Sequence, residues 1–87
     1  MTETMGYLLG IDGGGSRTRC LAADLEGRVL GEGEGGPANL VSMTAREVRT
    51  ALEEAVHSAL VRAGVAPGAR CAALCAGLAG AASAPGR

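Results

Sequence analysis

Between Tyr7 and Asp24 the chain reads YLLGIDGGGSRTRCLAAD: Gly13, Gly14 and Gly15 follow Asp12 and precede the hydroxyls of Ser16 and Thr18. A hairpin needs only one or two residues tolerant of positive φ, so three glycines in a row exceed what a turn requires. Successive backbone N–H groups in such a turn can converge on an anion, because no Cβ blocks its approach. Each hydrogen bond from a donor of this kind to a charged phosphate contributes on the order of 1.5–3 kcal/mol. Ser16 and Thr18 add hydroxyl donors, and Asp12, closing an apolar run, is placed to hold a magnesium ion through water. The chemistry this spacing predicts is phosphate binding with an accompanying metal. The competing reading is a flexible hairpin carrying a solvated aspartate.

Other candidate chemistries are weaker. Gly31-Glu-Gly-Glu-Gly-Gly36 fits G-x-G-x-x-G, but Pro37 and further loop residues intervene before any helix, and two glutamates would repel a pyrophosphate. The phosphate loop G-x-x-x-x-G-K-[ST] is excluded, since the chain has no lysine. His57 lies at the edge of a helical apolar stripe without a carboxylate or cysteine partner, which reads as a packing or surface residue. Cys20, Cys71 and Cys75 lack C-x-x-C spacing and are odd in number, so reduced, buried thiols are the better reading than a zinc site or a disulfide framework. No nucleophile and base can be paired.

The elements that must position the glycine turn follow from periodicity. Tyr7 to Ile11 is short and apolar and reads as a strand buried on both faces. Arg17 to Asp24 alternates imperfectly and makes a hairpin partner. Gly27 supplies a reversal, and Arg28 to Gly33 forms a third short strand, so the three strands make an antiparallel meander. Glu34 to Ser42 is loop, broken by Gly35, Gly36 and Pro37. Thr44-Ala-Arg-Glu47 is a capping box that starts a helix, and Gly64 ends it. Val48, Leu52, Ala55, Val56, Ala59, Leu60 and Ala63 form its apolar stripe. Cys71 to Gly77 is a second apolar run, predicted to be a strand parallel to the first because one helix connects them. The tail from Leu78 is small and irregular.

Eighty-seven residues make at most one small domain, which hides only about 60–65% of the surface its unfolded chain exposes. The apolar share is 47%, yet much of it is alanine, with one tyrosine and neither phenylalanine nor tryptophan. Such a core would normally be completed by more chain or by a partner. The net charge is −1 and the eight arginines are dispersed without interleaved aromatics, which argues against nucleic acid as a partner. The N-terminus lacks the features of a signal peptide, and no run approaches the roughly 18 apolar residues of a membrane span. A soluble, cytoplasmic protein is expected.

Taken together, Gly10-Ile-Asp-Gly-Gly-Gly-Ser-Arg-Thr18, Ala23-Asp-Leu-Glu-Gly-Arg-Val-Leu-Gly31, Gly36-Pro-Ala-Asn39 and Gly77-Leu-Ala-Gly80 resemble, in order, the N-terminal part of N-acetylglucosamine kinase-like proteins of the BadF/BadG/BcrA/BcrD ATPase family, within the sugar kinase, Hsp70 and actin superfamily. Ser16 departs from the family's usual threonine but keeps the hydroxyl. The resemblance implies an α/β fold, a partial ribonuclease H-like, actin-like ATPase domain made of the meander, the helix and a parallel fourth strand. Residues 1–87 would be the N-terminal part of the first such domain, with the second domain absent. It implies ATP and Mg2+ as cofactors and a small-molecule amino sugar, N-acetylglucosamine or glucosamine, as acceptor. Gly13, Gly14, Gly15, Ser16, Arg17 and Thr18 would cradle the β- and γ-phosphates, Asp12 would face the magnesium through water, and Asn39 would hydrogen-bond the sugar. Without the resemblance, Asn39 reads as a turn residue, and Gly77 to Gly80 as either loop or cleft rim. The catalytic base of such kinases is an aspartate beyond the fourth strand; the last acidic residue here is Glu54 on the helix, so the base is expected beyond Arg87 and no phosphoryl transfer is expected of these residues alone. The full-length family would form a homodimer. Two alternatives remain: an ATPase activator of the 2-hydroxyacyl-CoA dehydratase type, for which Cys71 and Cys75 on one face of a strand would be the cluster ligands, and a non-catalytic remnant.

Overall fold

A computed structural model of the chain describes residues 6–66 and 68–78. Pro67 and the expectations placed on Ala79, Gly80 and the tail beyond them lie outside the described residues. The described chain forms β1 (Gly6–Gly13), β2 (Thr18–Ala23), β3 (Val29–Gly35), α1 (Ala45–Ala63) and β4 (Arg70–Leu78). The four strands make one sheet in the order β3-β2-β1-β4. β1 is antiparallel to β2, β2 is antiparallel to β3, and β4 lies parallel to β1 as the single helical crossover demands.

Local chemistry explains where the elements stop. The β2–β3 reversal sits on Gly27, which takes the left-handed conformation at φ 89°. Asp24 secures that turn by accepting at Oδ1 from the amides of Glu26 and Arg28, both at 2.9 Å. The capping box closes as expected: Thr44 Oγ1 accepts from the Glu47 amide at 3.1 Å, and Glu47 Oε1 accepts from the Thr44 amide at 2.9 Å. Gly64, at φ 71°, ends α1 and donates back to the carbonyls of Leu60 and Val61.

Three expectations are corrected. β3 runs on through Glu34 and Gly35, which the glycines had suggested were loop. Its Gly31, Gly33 and Gly35 face the helix, and Glu32 and Glu34 face away. A Cβ on Gly31 would stand 2.5 Å from the amide nitrogen of Ala63, and one on Gly33 or Gly35 would run into the main chain of Ala59 or Ala51. These glycines are therefore needed for the close approach of α1, which also disposes of any dinucleotide-type role.

The second correction concerns the helix. Its buried face is Val48, Ala51, Ala55 and Ala59, while Leu52, Val56 and Leu60 are only partly covered. The helix thus seats on its smallest side chains, over β2 and β3.

The third concerns the burial of β1. Leu9 and Ile11 join Cys20, Ala22, Ala55 and Ala59 in the core, but Leu8 and Gly10 on the other face are only half-buried. Only one face of the sheet is covered by described residues. β4, from Arg70 to Gly77, is exposed along its length.

Candidate functional site

β1 and β2 carry the glycine turn at the end of the sheet. The amide of Gly14 donates to the carbonyl of Arg17 at 2.8 Å and closes the hairpin. Among the described residues, the amides of Gly15, Ser16 and Arg17 have no protein acceptor, and all three residues are exposed. Neither Gly13, Gly14 nor Gly15 has positive φ. A Cβ added to Gly15 would meet nothing within 4 Å. Backbone conformation and internal packing therefore both leave Gly15 free to be another residue, and the approach of something from outside is the remaining physical reason for a bare backbone there.

The other residues expected to hold phosphate divide into different roles. Gly13 is buried inside the sheet, in register with Thr18 and Leu78. Arg17 points its guanidinium toward Glu34 at 3.8 Å, with both side chains more than half exposed, a pair of small energetic value. Thr18 is fully buried, and its Oγ1 donates to the carbonyl of Gly36 at 2.7 Å. Its hydroxyl is therefore spent inside the protein and is not a donor to phosphate. The alternation that puts Thr18 on one face with Cys20 and Ala22 already carried this signal. Ser16 is left as the exposed hydroxyl of the turn.

Asp12 stands beside Arg19 in the β1–β2 register. Gly10, Ile11, Asp12, Arg19, Leu21 and Cys75 line a groove of about 320 Å³ on the face opposite the helix. Arg19 pairs with Glu32 and not with Asp12: its Nε donates to Glu32 Oε2 at 3.0 Å, and this hydrogen bond, before the charge of Glu32 itself, raises the Arg19 pKa. Asp12 thus makes no ion pair among the described residues. No group of three or more His, Cys, Asp or Glu side chains among them could cage a metal. One exposed carboxylate suits a magnesium ion that keeps its waters and takes its remaining ligands from phosphate.

Asn39 behaves as a turn former. Its Oδ1 accepts from the amides of Val41 at 2.8 Å and Ser42 at 3.4 Å, and its carbonyl accepts from Met43 at 3.1 Å. The loop that bears it is nevertheless brought to the glycine turn, because the amide of the buried Ala38 donates to the carbonyl of Gly14 at 3.0 Å. Sequence reasoning missed Gly36 and Ala38 as the ties between the two. Glu54, set aside as a base, accepts from the Gly36 amide at 3.2 Å.

The cysteines are corrected as well. Only Cys20 is buried, and burial, with a smaller contribution from Cys71, pushes its thiol above the ordinary value. Cys71 and Cys75 are exposed. An irregularity between Tyr7 and Leu8 sets Cys71 opposite Tyr7 and Cys75 opposite Gly10, on opposite faces of β1. The shared face that a bridged iron–sulfur cluster would have used does not exist. His57 is exposed on α1, as its position at the stripe's edge implied. No helix among the described residues is long and apolar enough to cross a membrane.

Comparison with known proteins places this arrangement. Residues 9–85 match the BadF/BadG/BcrA/BcrD ATPase family. The chain is 42% identical over 77 residues to an N-acetylmuramic acid/N-acetylglucosamine kinase of Clostridium acetobutylicum, a match covering 88% of this chain and 25% of that protein. A solved structure from Chromobacterium violaceum, described as a candidate N-acetylglucosamine kinase, superposes with a TM-score of 0.76 at 32% identity, covering 95% of this chain and 33% of that one. The chain spans a quarter to a third of the length of the relatives it matches. The mixed sheet with the one helix of the described residues is the N-terminal part of an actin-like ATPase fold.

Proposed function

This chain belongs to the BadF/BadG/BcrA/BcrD ATPase family, and from that premise we propose that residues 6–78 are the ATP phosphate-binding portion of the first domain of an amino-sugar kinase. N-acetylglucosamine is the leading acceptor, in keeping with the relatives' names, and glucosamine the next. The cytoplasm, where ATP is made available with magnesium, is the compartment this reading carries.

The observation that supports it most is Gly15: a residue with ordinary φ, open space where its side chain would be, and an amide without an internal acceptor beside two more of the same kind. Three donors at one exposed turn suit the oxygens of a terminal phosphate. Ser16 adds a hydroxyl at the same rim. Asp12, at the end of β1, would hold the hydrated magnesium, which neutralises charge on the phosphate oxygens when bound. The chain's own work is positioning: β1 and β2 fix the turn, and the Gly14–Ala38 bond holds the acceptor-side loop beside it. Glu54 is occupied with the Gly36 amide, so a carboxylate that takes the proton of the acceptor hydroxyl would come from elsewhere in a longer protein.

Calorimetric titration with Mg-ATP and with ATP in excess chelator tests this. Gly15→Ala is expected to weaken binding about tenfold or more, because the added Cβ holds the anion off by about one charged hydrogen bond, while leaving the unfolding midpoint unchanged. Asp12→Asn should weaken binding in magnesium and leave it unchanged, or slightly tighter, in chelator. Equal binding by wild type and Gly15→Ala would overturn the proposal.

A further inference from the structure

We propose that Thr18 is a positioning residue whose buried hydroxyl clamps the loop bearing Asn39 to the phosphate turn, so that contact at Gly15–Arg17 is transmitted to Val41 and Ser42. The inference rests on the reading of the glycine turn as the phosphate site, but its own observations are separate.

Thr18 has no exposed surface, and its Oγ1 donates to Gly36 at 2.7 Å across 18 residues of chain. Two residues on, Ala38 is equally buried and its amide donates to Gly14 at 3.0 Å. Between them the backbone has less freedom to reorient, since Pro37 fixes its φ and offers no N–H. The amide of Gly36 is held from the opposite side by Glu54 of α1 at 3.2 Å. The segment 36–38 is thus tied at three points, to the helix, to the start of β2 and to the turn. A continuous series of bonds then runs from Arg17 through Gly14 to Ala38, and from Asn39 to Val41 and Ser42.

A β-branched side chain at position 18 is held to few rotamers, which fits an anchor better than a mobile ligand contact. Threonine and valine are nearly isosteric, so Thr18→Val removes the donor and keeps the volume. It leaves the Gly36 carbonyl without its partner, and the loop loses its side-chain tie to β2, one residue beyond the Thr18–Gly35 ladder pair. The chain then keeps an intact glycine turn whose neighbour is held at two points, Glu54 and Gly14, instead of three.

The test is amide NMR on wild type, Thr18→Val and Thr18→Ser, with inorganic tripolyphosphate and magnesium as the probe. In wild type and Thr18→Ser the probe is expected to shift the amides of Gly15–Arg17 together with those of Val41 and Ser42. In Thr18→Val the first group should still shift, at about fivefold weaker affinity, while the second stays still, and hydrogen exchange at Ala38 should quicken about tenfold. Unchanged exchange at Ala38 and an unchanged response at Val41 and Ser42 in Thr18→Val overturn the clamp. Loss of protection at Leu9 and Ala22 in that variant also overturns it, since the hydroxyl would then serve the fold at large. A wild type that shows no shift at Gly15–Arg17 sinks the phosphate reading instead, and exchange at Ala38 still decides the clamp.

Discussion

Gly15 and Thr18 stand three residues apart and answer to opposite demands. One is exposed, with open space where a side chain would stand; the other is sealed in and has given its hydroxyl to Gly36. A motif read as a string treats them alike, because composition does not say which hydroxyl lies on which face of β2. Asp24 shows a single carboxylate acting through its charge. It accepts amides from Arg28 and Glu26, and the Arg28 contact leads in holding its pKa below the ordinary value of 3.8. A depressed pKa means that the folded chain binds fewer protons than the unfolded one, so the contribution is complete above the ordinary value and is lost as pH falls through the folded pKa. Asp24→Asn is therefore expected to lower the urea midpoint near neutrality, where the charge contributes in full, and to converge on wild type as pH falls from about 5 to 2, so that its acid-side slope is flatter. An identical acid slope in the two proteins would show that the turn draws nothing from that charge.

At the scale of elements, the contact between α1 and β3 decides the fold. Gly31, Gly33 and Gly35 of β3 meet Ala51, Ala55, Ala59 and Ala63 of α1 almost backbone to backbone. Gly33→Ala is expected to destabilise by about 3 kcal/mol or to prevent folding, because the added methyl meets main chain that cannot step aside. Gly68→Ala, where a methyl meets nothing within 4 Å, should stay within about 0.5 kcal/mol; denaturant midpoints separate the two. The meander, the capping box at Thr44 and Glu47, the stop at Gly64 and the parallel β4 were all legible, since each rests on local rules of turn, cap and crossover. Glycines normally argue for loop, and only their alternation with Glu32 and Glu34 hints at a strand pressed against a helix. Leu52, Val56 and Leu60 outweigh alanine in any hydrophobic pattern, yet the helix buries Ala51 instead, since only a small side chain permits that approach. The irregularity beside Tyr7 that separates Cys71 from Cys75 has no local signature at all.

Across the whole molecule the sheet is covered unevenly. α1 lies over β2 and β3, and between it and β4 runs an apolar groove of about 500 Å³ with Leu9, Leu52, Val56, Leu60 and Leu74 in its walls. β4 ends the sheet with Cys71 to Gly77 exposed and, within the strand, no charged side chain but Arg70. Such an edge invites pairing with another strand. Sedimentation of these 87 residues should show mass rising with concentration, and Leu74→Lys should suppress the rise; a profile indifferent to that lysine would place the contact elsewhere. The helix seat, by contrast, asks little of the side chains. Alanine and glycine have no rotamers to surrender on folding, and none to reshuffle afterwards. Over β3 the height of α1 is consequently gauged by main-chain atoms, as on a machined shoulder, and Glu54 carries that datum to Gly36 and the turn beyond it.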